Sequence, residues 1–104
     1  MRIAVTGPHG RLGAAVCRHF GKRNEIVPVS RAEVDLSDPG AVRAALAPLE
    51  FDALINTAAY TAVDDCERER ELAYDINAHA AGEMAKVCRE KSARMVQVLS
   101  LIHI

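Results

Sequence analysis

Three glycines, Gly7, Gly10 and Gly13, stand three residues apart between a β-branched run and a helical pattern, and this arrangement restricts the fold more than any other feature. The run Arg2 to Thr6 (R-I-A-V-T) has the pattern of a short buried strand, and Gly7-Pro8-His9-Gly10 ends it in a tight loop. After the loop, Leu12, Ala15, Val16 and Phe20 recur at helical spacing, and Gly21 stops the helix. In such a strand–turn–helix unit the first glycine permits a sharp turn and the second lets a ligand approach the backbone. The third lets helix and strand pack closely. The helix start then presents unpaired N–H groups and a partial positive charge, which suits a diphosphate.

The rest of the chain repeats the alternation. Ile26 to Val29 reads as a second strand, although Pro28 removes a ladder donor from it. Asp38 is placed to cap a helix whose first position is Pro39, and Val42, Ala45, Leu46 and Leu49 mark its buried face. Ala53 to Asn56 reads as a third strand, Thr57 to Val63 as a loop, and the charged stretch Asp64 to Glu71 as a short exposed helix. Asp75 to Glu90 carries Ile76, Ala80, Met84 and Val87 on one stripe, and Met95 to Leu99 reads as a fourth strand. The order βαβαβαβ predicts an α/β protein: a Rossmann-type three-layer fold with a parallel sheet, truncated after strand four. Residues 1–98 are expected to form one partial NAD(P)-binding domain, with 99–104 as an atypical tail.

Composition narrows the partners. Half of the 104 residues are apolar, enough for a packed core, and a formal net charge of -1 without runs of like charge gives no field to gather nucleic acid or anionic lipid. The first apolar run is far shorter than the roughly 20 residues that span a bilayer, so a cytoplasmic protein with no membrane partner is expected. Cys17, Cys66 and Cys88 are widely spaced with no Cys-x-x-Cys pair, so reduced structural thiols and no metal site are expected. A small molecule is the expected partner.

The end of strand two bears on which dinucleotide fits. An acidic residue there would bind the ribose hydroxyl of NAD(H), whereas this chain has Ser30-Arg31. A guanidinium pairs a 2′-phosphate in a bidentate way, which favours NADP(H) while leaving NAD(H) open.

The three-and-three glycine spacing resembles the extended short-chain dehydrogenase/reductase group. Asn56-Thr57-Ala58-Ala59-Tyr60-Thr61-Ala62-Val63-Asp64, followed by Glu67, looks very like the dTDP-4-dehydrorhamnose reductase family, whose members carry Asn-Ala-Ala-Ala-Tyr-Thr-x-Val-Asp here. Asp35-Leu36 after strand two and Asn77 before strand four also fit its pattern, and the likeness covers residues 1 to 98. The resemblance implies NADPH-dependent reduction of the 4-keto group of a dTDP-6-deoxysugar in dTDP-L-rhamnose biosynthesis, with a nucleotide sugar as substrate. Carried over by position, Gly10, Arg11 and Leu12 line the pyrophosphate beside Gly7 and Gly13, and Ser30 and Arg31 line the adenosine ribose. Asp35 and Leu36 touch the adenine, and Ala58, Ala59 and Tyr60 pass under the cofactor toward its nicotinamide half. The resemblance leaves room for a homodimer of the full-length protein. It also leaves open a non-catalytic NADP-binding regulatory subunit, or an extended reductase or epimerase acting on another nucleotide sugar.

The likeness ends abruptly. Family members continue strand four into Ser-Thr-Asp-Tyr-Val-Phe and later supply a Tyr-x-x-x-Lys pair, whose tyrosine protonates the carbonyl oxygen and whose lysine lowers the tyrosine pKa. This chain has Leu99-Ser100-Leu101-Ile102-His103-Ile104 instead, and residues four after Tyr60 and Tyr74 are Asp64 and Ala78. No catalytic residue is therefore assigned, and a gene cut short is the expected origin of the tail.

Overall fold

The computed structural model describes residues 1–30, 35–57 and 67–98, with the backbone alone at 67–70 and 72. Among the described residues four parallel strands, β1 (Arg2–Thr6), β2 (Glu25–Val29), β3 (Ala53–Asn56) and β4 (Arg94–Gln97), form a sheet in the order β2-β1-β3-β4. Helices α1 (Arg11–Phe20), α2 (Pro39–Leu46) and α3 (Glu67–Lys91) alternate with them. The chain steps from β1 outward to β2 and then back across β1 to β3, so its direction reverses between β1 and β3. Right-handed crossovers turn that reversal into helices on both faces. At such a switch point the loops leaving the two strands part and open a crevice at their carboxyl ends.

The central strands β1 and β3 read as buried runs because both their faces are covered. Ala4, Val29 and Leu54 face α2 and α3, where they pack with Val42, Leu46, Phe51, Ala80, Met84, Val87 and Cys88. Ile3, Val5 and Ile55 point the other way, toward Val16 and Cys17 of α1. Pro28 is tolerated because β2 is an edge strand, where a missing N–H need not serve a further neighbour.

Two helix readings change. The inward face of α1 is Gly13, Val16 and Cys17, while Leu12, Ala15 and Phe20 are exposed. The stripe is rotated because Gly13, without a side chain, is what lets the helix reach the sheet. The separate helices expected at 64–71 and 75–90 are one helix over the described part, Glu67–Lys91. No glycine or proline interrupts residues 72–74, and Ala73 is buried in the core, so nothing breaks the helical ladder there. The fourth strand begins at Arg94 and is described to Gln97; Leu99 lies outside the described residues.

Polar contacts fix the two helices on the α2–α3 face. Arg43 donates to Glu83 at 2.7 Å and to both carboxylate oxygens of Glu90 at 2.8 and 2.9 Å. Lys91 Nζ donates to the carbonyls of Ala47, which caps the end of α2, and of Leu49 just beyond it. Asp38 caps the start of α2 by accepting from Gly40 N–H at 3.0 Å, as its sequence context predicts.

Candidate functional site

The switch point is where the glycine loop lies. Gly7 follows β1 directly and has φ 65°, a left-handed conformation that a side chain rarely adopts. The turn closes when Gly10 N–H donates to the Gly7 carbonyl at 3.2 Å, and Ala14 N–H then donates to the Gly10 carbonyl as the first helical bond of α1. Helix geometry leaves the N–H groups of Arg11, Leu12 and Gly13 without intrahelical acceptors. Among the described residues no side chain caps the helix at Gly10, and no acidic residue stands in its first turn. A helix start of this kind carries a partial positive charge that suits an anion.

The structure brings five of the expected residues together at this point: Gly7, Gly10, Arg11, Leu12 and Gly13. Arg11 and Leu12 are exposed, whereas Gly13 is buried against the turn. Ser30 joins them because Thr6 pairs with Val29, so Ser30 leaves β2 level with Gly7. Asp35 and Leu36 lie further along, on the approach to α2. The Asp35 carboxylate accepts from both the backbone N–H and the hydroxyl of Ser37, which hold it below its ordinary pKa. Leu36 packs partly against the α2–α3 core. Arg31, Ala58, Ala59 and Tyr60 lie outside the described residues, as do Asp64, Cys66 and His103.

Two sets of polar contacts under the loop were not anticipated. The Thr6 hydroxyl donates to the side-chain oxygen of Asn56, and Asn56 Nδ2 donates to Gln97 Oε1 at 2.8 Å, giving a polar row across the carboxyl ends of β1, β3 and β4. Thr6 and Asn56 are both buried. In addition, Thr57 Oγ1 donates to the Thr6 carbonyl at 2.6 Å and lies 3.3 Å from that of Gly7. The sequence carries a signal for each: polar residues ending two otherwise apolar strands, and a threonine where the resembled pattern has alanine.

Among the described residues no three His, Cys, Asp or Glu side chains group as metal ligands, and no helix is long and apolar enough to cross a membrane. Cys88 is buried, and that burial pushes its thiol pKa up.

The reversal in strand order, with a glycine turn and an open helix start at it, defines an α/β protein of the Rossmann class. A family model described as the RmlD substrate binding domain matches residues 1–100, and the chain belongs to that family. It is 35% identical over 85 residues to a dTDP-4-dehydrorhamnose reductase of Burkholderia thailandensis, a match covering 82% of this chain and 28% of the relative. The crystal structure of a dTDP-4-dehydrorhamnose reductase from Clostridium acetobutylicum superimposes with a TM-score of 0.79 at 35% identity, covering 93% of this chain and 35% of that one. A Bacillus anthracis dTDP-4-dehydrorhamnose reductase solved in complex with NADP gives a TM-score of 0.76 at 30% identity, covering 90% of this chain and 34% of that one. The chain therefore spans about a third of the length of these relatives.

Proposed function

We propose that this chain is the NADPH-binding portion of a dTDP-4-dehydrorhamnose reductase, which reduces the 4-keto group of a dTDP-6-deoxysugar. The observation that carries this reading is the uncapped, acid-free start of α1 at the switch point of an RmlD-family chain. The residues fit a dinucleotide diphosphate. Gly7 makes the turn, and Arg11, Leu12 and Gly13 offer backbone amides. Among the described residues a Cβ at Gly10 would meet only the Gly7 carbonyl, at 3.6 Å, so glycine there leaves room for a ligand.

In this reading Ser30 and Arg31 hold the adenosine ribose, with the Arg31 guanidinium pairing the 2′-phosphate and favouring NADPH over NADH. Asp35 and Leu36 border the adenine, and Ala58, Ala59 and Tyr60 run beneath the nicotinamide half. Bound NADPH supplies a hydride to a carbonyl carbon. The residues of this chain bind and orient that cofactor; the proton for the carbonyl oxygen and the nucleotide-sugar site come from the longer protein. The proposed setting is the cytoplasm, with a homodimer as the assembled form of the full-length protein.

The test is a pair of titrations, with NADPH and with NADH, on the parent chain and on Arg31→Asp. The parent is expected to prefer NADPH and the variant to lose that preference; an unchanged ratio removes Arg31 from the site. Incubated with NADPH and the keto sugar nucleotide, the chain is expected to leave the NADPH unconsumed, and measurable turnover would show that it holds its own acid catalyst.

A further inference from the structure

Building on the cofactor reading above, we propose that Thr57 is a positioning residue for the cofactor: its hydroxyl fastens the glycine turn across the switch point and so sets the affinity for the dinucleotide diphosphate. Thr57 directly follows β3, and its hydroxyl reaches to the end of β1, the other strand bordering the crevice. It donates to the Thr6 carbonyl at 2.6 Å, with the Gly7 carbonyl 3.3 Å away as a second, weaker acceptor. These two carbonyls lie on either side of the Gly7 Cα, and the φ of 65° there sets the direction of the turn.

The Gly7 carbonyl is the hinge of the whole loop. It accepts the Gly10 N–H at 3.2 Å and lies against Gly13, so any rotation of its peptide plane moves the start of α1. Glycine is the residue least able to hold a backbone angle by itself, so the restraint has to come from outside it. Below the loop, the bonds from Thr6 to Asn56 and from Asn56 to Gln97 hold the strand ends level, so the Thr57 hydroxyl acts from a fixed base. A loop held in its binding shape before the ligand arrives loses less freedom on binding, which tightens affinity without any new ligand contact. The resembled family pattern has alanine at this position, so the hydroxyl is a departure from that pattern.

The test measures NADPH dissociation constants and melting temperatures for the parent chain and for Thr57→Ser, Thr57→Ala and Thr57→Val. Serine keeps the hydroxyl and is expected to bind within about twofold of the parent, whereas alanine and valine bind about five- to tenfold more weakly, the scale of one lost hydrogen bond. Alanine adds no atoms, so it gives the reading if the valine variant does not fold. The amide resonances of Gly7 and Gly10 in the ligand-free protein are expected to shift in the alanine variant and to stay in place in the serine variant. Alanine binding as tightly as the parent overturns the proposal, and so does serine losing as much as alanine, which would make the methyl group the important part. If the parent chain itself does not bind NADPH, the cofactor reading falls and this proposal with it; a parent that binds beside an alanine variant that binds equally well removes Thr57 alone.

Discussion

The Gly7 carbonyl oxygen lies so close to Gly13 that a Cβ built on Gly13 would run into it, and would also come within 2.9 Å of Thr57 Oγ1. The third glycine is therefore required by packing: it is the point where α1 is laid onto the turn that leaves β1. The obstacle is backbone, which cannot swing aside as the end of a flexible side chain can.

Replacing Gly13 with alanine is accordingly expected to cost about 2–4 kcal/mol of stability and to weaken NADPH binding in whatever remains folded. Gly82 is the control, because a Cβ there meets none of the described residues within 4 Å. Gly82→Ala is expected to stabilise the chain by about 0.5–1 kcal/mol through helix propensity alone. Chemical denaturation of the two variants checks this, and equal effects from both would contradict it.

Leu54 is the centre of the larger core, fully buried between β3 and the α2–α3 layer. Leu54→Ala is expected to lose about 2–5 kcal/mol, whereas Val96→Ala, at a half-exposed position on edge strand β4, should stay within about 0.5 kcal/mol. Denaturant midpoints for both variants measure the contrast.

The cap of α2 tests a smaller contribution. Asp38→Ala removes the acceptor for Gly40 N–H and is expected to cost about 1 kcal/mol, while Asp38→Ser restores most of it. Equal stability of Asp38→Ala and the parent would contradict the capping role.

Acid should weaken the α2–α3 contact. The Arg43 guanidinium holds the Glu90 carboxyl below its usual pKa, and Ser37 does the same for Asp35. A carboxylate depressed in the folded state stabilises above its unfolded value, near about 4, and that stabilisation is lost as pH falls through the lower folded value. Melting temperatures taken from pH 7 down to pH 3 are therefore expected to drop more steeply for the parent than for Glu90→Gln. Parallel profiles would show that Glu90 contributes nothing to the acid sensitivity.

The central strands were legible in the sequence because they are buried on both faces, and the continuous runs Arg2–Thr6 and Ala53–Asn56 mark themselves. The Asp38-Pro39 start of α2 was legible for a local reason, since both residues act within one turn. The α1 stripe was misread because hydrophobic periodicity gives glycine no weight, while Gly13 is the residue that faces the sheet. The break expected after Glu71 came from a change in charge, but backbone continuity depends on glycine and proline, and none lies there. At the site, the glycine spacing identified the turn and the helix start. The Thr57 bonds and the Thr6–Asn56–Gln97 row depend on strand register, which joins residues 41 to 51 positions apart, so the residue types that signal them do not name their partners.

The most direct measurement is an NMR titration of the folded chain with NADPH, following the backbone amides of Arg11, Leu12 and Gly13. Saturable shifts at these three groups, with smaller changes along β4, are the predicted result. Amides that stay in place at the open end of α1, in a sample whose other signals report an intact fold, would contradict a diphosphate seat there.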